Sequence, residues 1–265
     1  MTCLSSPSGL AARCRRAFTL MEILVVIAII LVLAAIAFPV INSIQMRSHK
    51  AVSLQNMRQI TAGCLAYAAD NNGTLPAEDS KGADTWENAA KEENRDAWYN
   101  AVLRKLGQKG VGDYVSTPRD FYRKENIVFL PGATYPEEEK RIKNPLFAIA
   151  INTKLSRKNE DGKKEPTKLS QITHASKTVL FLEQGLPKET TTVGSQSKKD
   201  YDGAPKGSAK SFIGRYGGEG VLSFADGSAG FYKAKELLNE TGRFPMPQTE
   251  VIWTRSPEED PNKAN

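Results

Sequence analysis

The sequence contains very little cysteine and histidine. Three cysteines and two histidines occur among 265 residues, and no two cysteines form a C-x-x-C pair. These numbers exclude a small disulfide-stapled domain, and the length is ample for a core built from apolar side chains. The G-x-S-x-G, H-E-x-x-H and phosphate-loop motifs are also missing, so the sequence predicts no enzyme.

Charged and apolar residues are distributed unevenly. The chain has 36 basic and 30 acidic residues, a net charge of +6, and its mean hydropathy of -0.41 is that of a polar protein. Residues 23–41 nevertheless form a run without a polar side chain. As a helix this run would be roughly 28 Å long, about the thickness of the hydrocarbon core of a bilayer. Arg13, Arg15 and Arg16 precede it with no acidic residue, which favours a cytoplasmic amino terminus and export of the residues after about 47.

Two simple interpretations of the apolar run remain open. A secretory signal peptide would use the small-x-small site at 35–37, whereas a plain single-span anchor needs only the apolar length. Glu22 lies directly before the run, and the run is longer than the apolar segment of a secretory signal, which has about 7–15 residues. Both features count against the signal peptide.

A third interpretation uses the whole of residues 17–30. This stretch, Ala-Phe-Thr-Leu-Met-Glu followed by apolar residues, resembles the prepilin signal of type IV pilins and type II secretion pseudopilins. The resemblance implies cleavage between Ala17 and Phe18 by a membrane aspartic peptidase, followed by N-methylation of Phe18. Glu22 and Pro39 then become the fifth and twenty-second residues of the mature chain. Family members usually have glycine before the cut, where this chain has Ala17.

The resemblance also implies roles in assembly. Glu22 would pair with the free amine of Phe18 in a neighbouring subunit and set the register between subunits, since a carboxylate at the end of a membrane helix is costly without a partner. Pro39 lies where many family members have a proline. Loss of residues 1–17 removes three arginines, which leaves 33 basic and 30 acidic residues and no indication of nucleic-acid binding. Cys64 is then the remaining cysteine, and its spacing predicts a buried apolar role.

Beyond the apolar run the pattern stays helical but becomes amphipathic. Apolar residues recur every three or four positions from Ile44 to Ala68, which predicts one helix over about 19–69, kinked at Pro39. Turn-forming residues at 70–76 end it. The first half would contact lipid or neighbouring subunits, and one face of the second half would pack on a globular head. Residues 56–76 resemble the same part of a large bacterial branch of the pilin family.

The remainder predicts an α+β fold that is pilin-like, with the long helix packed on a small antiparallel sheet. A second helical stretch is expected at 86–106, with its best part at 96–106. Apolar β-type runs occur at 127–130, 146–151, 178–182, 220–225 and 229–232. The predicted division is a leader at 1–17, a transmembrane and polymerisation helix at 18–41, its amphipathic continuation at 42–76, a head at 77–254 with loops at 156–168 and 188–211, and a fraying polar tail at 255–265.

The last two β-type runs carry a further motif. Asp226-Gly227 lies between them and predicts a tight hairpin. Residues 215–228 resemble the carboxy-terminal signature of the same pilin branch, in which a histidine precedes Asp-Gly by nine residues. Tyr216 occupies that position here, so the sequence offers no basis for histidine-dependent chemistry.

Acidic residues in this part of the chain provide one candidate ion site. Type II secretion major pseudopilins hold Ca²⁺ with oxygens of carboxy-terminal loops, and Asp200, Asp202 and Asp226 lie in the comparable region. The same residues are common turn formers, and no other cofactor is expected. His49 is predicted to be solvated, and His174 precedes a strand with no evident nucleophile or carboxylate partner.

The resemblance implies a non-enzymatic structural subunit of a type IV pilus-like or type II secretion filament. The precursor would lie in the bacterial inner membrane with a periplasmic head. Its partners would be the membrane, a prepilin peptidase and methyltransferase, an assembly platform, and copies of itself or other pilin-like subunits in a periplasmic or extracellular filament. The competing prediction is a membrane-tethered or secreted binding domain that never polymerises. Pilus, secretion and DNA-uptake systems share the signal, so the sequence does not choose among them.

Overall fold

The computed structural model describes residues 18–78, 84–158 and 164–263, without the side chains of residues 37–40 and 42. Two compact units divide the chain, Met1–Gln45 and Met46–Asn265, and the second is called the head below. The fold is α+β, as predicted, with one long amino-terminal helix and a mixed sheet. The predicted leader at 1–17, including Ala17, lies outside the described residues.

The long helix α1 extends from Leu20 to Asp70. It ends where Asn72 and Gly73 adopt positive φ angles of 52° and 76°, and the Gly73 amide donates to the carbonyl oxygen of Ala68 at 2.8 Å. Such left-handed residues close helices by satisfying the last carbonyl groups. The prediction of a single helix over about 19–69 is therefore confirmed. The side chain of Pro39 lies outside the described residues, and the kink stays a prediction.

Within the part of the chain that the structure describes, no helix combines the length and the apolar character needed to cross a membrane. The transmembrane segment expected at 18–41 therefore also stays a prediction.

In its described part, the head has the shorter helices α2 (Trp86–Ala89), α3 (Trp98–Lys105), α4 (Pro118–Phe121) and α5 (Glu138–Lys143). The helical stretch expected at 86–106 is confirmed in its best part, where α3 forms, but it is not continuous, because residues 90–97 turn between α2 and α3. The Asn100 side chain holds this turn by donating to the carbonyl oxygens of Ala89 and Asn94 at 2.8 and 2.9 Å. Side-chain hydrogen bonds to the backbone compete with a continuous helix in this way.

Among the described residues the strands are β1 (Ile149–Asn152), β2 (Arg157–Lys158), β3 (Lys164–Glu165), β4 (Val179–Glu183), β5 (Lys206–Gly207), β6 (Glu219–Phe224) and β7 (Ala229–Lys233). Five of them form a sheet in the order β5-β1-β4-β6-β7, and β2 pairs with β3. The sheet is mixed and not purely antiparallel as predicted, because β5 runs parallel to β1. The hairpin expected at Asp226-Gly227 is confirmed, with Gly227 at φ +93°.

The head half of α1 packs on one face of the sheet. Met57, Ile60 and Cys64 are fully buried there, in a core shared with Phe181 of β4 and Val221 of β6. Cys64 is thus the buried apolar residue that its spacing predicts. Side chains that alternate with these along the strands point to the opposite face, where a second core contains Leu182, Leu222, Phe244 and Trp253.

Three further predictions need correction. Residues 127–130 form no strand, and residues 127 and 128 lie in a turn. Asn126 Oδ1 accepts from the Val128 amide at 3.2 Å, and the Asn126 carbonyl oxygen accepts from the Phe129 amide. The expected loops at 156–168 and 188–211 contain the short strands β2, β3 and β5. The tail does not fray at 255, because Asn262 exchanges hydrogen bonds with the backbone of Phe244.

Candidate functional site

The amino-terminal segment presents its predicted processing residue to solvent. Phe18 is 79% exposed, and α1 begins two residues later. The Glu22 carboxylate accepts hydrogen bonds from both the amide and the hydroxyl of Thr19, each at 2.9 Å. The Glu22 amide donates back to the Thr19 hydroxyl at 3.2 Å. This reciprocal arrangement is a capping box, which starts the helix at this point and places a carboxylate at its positive end.

The next four turns of α1 are apolar on every side and remain uncovered. Ile23, Leu31 and Ile36 are 48%, 65% and 65% exposed. Large apolar surfaces of this kind mark sites of contact with a protein or a membrane. Glu22 is the acidic residue of the first turn of α1.

A second feature lies inside the head, where Tyr216 reaches α1. Gly217 and Gly218 have φ angles of 69° and 89°, the pair of positive values that a two-residue type I′ turn requires. Tyr216 and Glu219 pair across this turn. The turn folds the chain back, and the Tyr216 hydroxyl lies 2.5 Å from the hydroxyl oxygen of Ser53 on α1. The carbonyl oxygen of His49 lies 3.5 Å from the same hydroxyl.

Buried charges surround this contact. Arg215 forms a bidentate pair with Glu189, with nitrogen–oxygen distances of 2.8 and 2.6 Å. A third guanidinium nitrogen lies 3.2 Å from Glu183. The Glu183 carboxylate also accepts a hydrogen bond from the Val221 amide at 2.9 Å. We call Ser53, Glu183, Glu189, Arg215 and Tyr216 the polar cluster.

Burial sets the acid–base behaviour of the polar cluster. The side chains of Glu183, Glu189 and Arg215 are 0%, 6% and 3% exposed. Removal from water raises the pKa of Glu183, and the neighbouring Arg215 opposes this rise. Burial would lower the pKa of Arg215, but the hydrogen bonds and charge of Glu189 outweigh it and raise that pKa. Burial also raises the pKa of Tyr216.

Sequence reasoning singled out Tyr216 but missed the three charged residues of the cluster. Glu183 directly follows the apolar run at 178–182, and Arg215 directly precedes Tyr216. A charged residue in line with a buried strand is unusual, since such side chains are rarely buried without a partner. The position of Glu183 at the end of an apolar run could therefore have indicated a buried, paired charge.

In the described part of the chain, the three aspartates predicted as calcium ligands lie in turns. Asp202 Oδ1 accepts from the Ala204 amide at 2.9 Å, and Asp226 Oδ1 accepts from the amide and hydroxyl of Ser228 at 2.9 and 2.7 Å. Asp200 belongs to a 3₁₀ turn at Lys198–Asp200. Among the residues described, no three His, Cys, Asp or Glu side chains form a group that could hold a metal ion. Calcium binding stays a prediction.

The two histidines have different surroundings. His49, which was predicted to be solvated, is half-buried on α1 near the polar cluster. His174 is exposed before β4, and its Nδ1 lies 2.9 Å from the Thr173 hydroxyl.

Comparison with known proteins addresses the amino-terminal segment. The family model for the prokaryotic N-terminal methylation motif matches residues 12–38. No curated protein matches the chain, and no solved structure does. The matched residues include the capping box of Thr19 and Glu22 and the start of the uncovered apolar helix. Residues 12–38 of this chain are a prokaryotic N-terminal methylation motif, the signal of type IV pilins and pseudopilins.

Proposed function

We propose that the chain is the precursor of a pilin-like structural subunit. The observation that carries this proposal is the methylation motif at 12–38 joined to an apolar helix that nothing in its own unit covers. Cleavage before Phe18 creates a new amino terminus within one turn of Glu22. The subunit polymerises when its apolar helix packs against those of other subunits, and the head forms the outer surface.

Before assembly, the exposed apolar side chains of α1 are unfavourable in water. About 25 cal/mol is gained for each square ångström of apolar surface removed from water, so a helix that is half exposed on all sides favours lipid or other helices. The precursor therefore resides in the bacterial inner membrane with its head in the periplasm. The arginines at 13, 15 and 16 support this orientation.

Glu22 determines register in the proposed filament. Its carboxylate is held at the start of α1 by Thr19, and cleavage places the charged amine of Phe18 at the same end of each subunit. An ion pair between the amine of one subunit and Glu22 of the next would be removed from water by the surrounding apolar helices. Such a pair is strongly sensitive to the loss of one member.

Shearing of intact cells tests polymerisation. We expect the chain in the sheared filament fraction, detected with an antibody against the head, in cells that contain an assembly ATPase and platform protein. Deletion of the ATPase should leave the processed chain in the membrane fraction. A chain that stays in the membrane in both strains would contradict a surface filament. Cross-linking in intact cells then decides: ATPase-dependent ladders of the chain indicate a periplasmic filament, and their absence would make it a tethered domain and the polymerisation proposal wrong.

A further inference from the structure

The polar cluster contains more buried negative than positive charge if both carboxylates are ionised. Arg215 is matched by its bidentate partner Glu189, through nitrogen–oxygen contacts of 2.8 and 2.6 Å. Glu183 receives only one longer contact from the same guanidinium, at 3.2 Å. An ionised Glu183 would therefore be a completely buried charge that shares its cationic neighbour with Glu189, which is costly in a protein interior.

The oxygens around Glu183 form a triangle. Ser53 and Tyr216 are 2.5 Å apart, and each hydroxyl oxygen lies 3.3 Å from Glu183 Oε1. Three hydrogen bonds in this triangle require three protons. The two hydroxyl groups supply one proton each. With an ionised carboxylate, one of the three oxygen–oxygen contacts has no proton between its atoms.

We propose that Glu183 holds a proton in the folded head at neutral pH, and that this proton completes a ring of hydrogen bonds that fastens α1 to the sheet. Glu183 Oε1 donates to Ser53, Ser53 donates to Tyr216, and Tyr216 donates back to Glu183. Each oxygen then donates once and accepts once within the ring. The inference concerns the head alone and holds whether or not the proposed filament forms.

Every element packed around Glu183 fits this assignment. The segment before β6 contributes Arg215 and Tyr216, α1 contributes Ser53, and the segment after β4 contributes Glu189. The Val221 amide of β6 donates to Glu183 Oε2 at 2.9 Å, whereas Arg215 donates to Oε1 at the longer distance of 3.2 Å. The ring assigns the proton to Oε1, which lies near both hydroxyl groups.

Three more titratable side chains lie close to the cluster. One is His49 of α1, whose backbone carbonyl oxygen lies 3.5 Å from the Tyr216 hydroxyl, and it is retained in the Glu183 variant compared below. Tyr135 and Tyr201 interact electrostatically with Arg215 and Glu189, and burial raises the pKa of both phenols. Both therefore remain neutral and add no charge. Lys50 of α1 pairs with Glu219 at 2.8 Å, so this pair adds no net charge.

The bound proton makes folding of the head dependent on pH. The ordinary pKa of a glutamate is about 4.5, and burial raises the pKa of Glu183 above it. Between these two pKa values the folded chain holds a proton that the unfolded chain has released. The folding equilibrium constant therefore rises up to tenfold for each unit by which the pH falls in this window. This direction is opposite to that of glutamates stabilised as carboxylates.

Urea unfolding of the full-length chain in detergent tests the inference. All three tryptophans, Trp86, Trp98 and Trp253, lie in the head, so their fluorescence reports its unfolding. We compare the folding equilibrium constants of the native chain and of Glu183→Gln at each pH. As the pH falls from about 8 to about 5, we expect the ratio of native to variant constant to rise by up to tenfold per pH unit. The exposed Glu87→Gln is the matched control, which should retain the native pH profile.

Parallel pH profiles for the native chain and Glu183→Gln would overturn the inference. If Glu183→Gln does not fold, infrared spectroscopy of the native chain decides, because a protonated carboxyl group has its own carbonyl band. We expect this band at neutral pH in both the native chain and Asp202→Asn, a control needed because burial also raises the pKa of Asp202. Absence of the band, or its loss in Asp202→Asn, would contradict a proton on Glu183.

Discussion

Glu22→Ala is expected to abolish filament formation while leaving membrane insertion and cleavage intact. The substitution removes the carboxylate that would pair with the amine of Phe18 in the neighbouring subunit, and it shortens no part of the apolar helix. It also removes the capping box with Thr19, which stabilises a helix start by about 1 kcal/mol. That free energy is small compared with the free energy gained by burying the apolar side chains of this segment in lipid. The amount of chain in the sheared fraction measures the effect.

Two control variants separate register from capping. Thr19→Val removes the hydroxyl of the capping box but keeps Glu22, so we expect it to assemble. Glu240→Ala removes an exposed glutamate from the head and should behave like the native chain. Normal filaments from Glu22→Ala would show that the carboxylate does not set the register. Equal loss of filaments in Thr19→Val would assign the effect to the helix start.

Arg215→Met is expected to lower the free energy of unfolding of the head by about 3–5 kcal/mol. Methionine replaces the arginine with an apolar side chain of similar length, and it leaves the buried Glu189 without its bidentate partner. Removal of one member of a buried ion pair has this order of effect, because the remaining charge is uncompensated. Urea unfolding of the full-length chain, followed by tryptophan fluorescence, measures the change.

The control for Arg215→Met is an exposed arginine in a similar pair. Arg95 is 66% exposed and pairs with Glu92 at 3.2 Å, so Arg95→Met should cost no more than about 1 kcal/mol. The double variant Arg215→Met/Glu189→Gln should recover part of the lost stability, since it removes the stranded charge. Equal effects of Arg95→Met and Arg215→Met would rule out a stabilising role for the buried pair.

Features set by neighbouring residues could be predicted from the sequence. The three- and four-residue spacing of apolar side chains and the turn formers after Asp70 predicted α1 nearly to its ends. The strands β4, β6 and β7 coincide with apolar runs, and Asp226-Gly227 marked their hairpin. The motif at the start of α1 likewise consists of consecutive residues, so the amino-terminal part of the candidate site was predictable.

Features made by distant residues could not be predicted in this way. Glu183 and Arg215 are 32 positions apart and meet only because the chain folds back beside β4 and β6. The strand β5 has two residues, too few for any apolar pattern. Residues 127–130 look like a strand by composition, but the side chain of Asn126 turns the backbone there. A hydrogen bond of this kind leaves no periodic signal.

The mass of the mature amino terminus tests the proposed function most directly. The full-length chain should be expressed with a prepilin peptidase, purified from the membrane and analysed by intact-mass and peptide mass spectrometry. A pilin-like precursor gives a chain that begins at Phe18 and carries one added methyl group on its amine. A chain that still begins at Met1 would be a plain anchor, and one that begins at Phe38 would be an ordinary secreted protein. Either of these two results would contradict the proposed function.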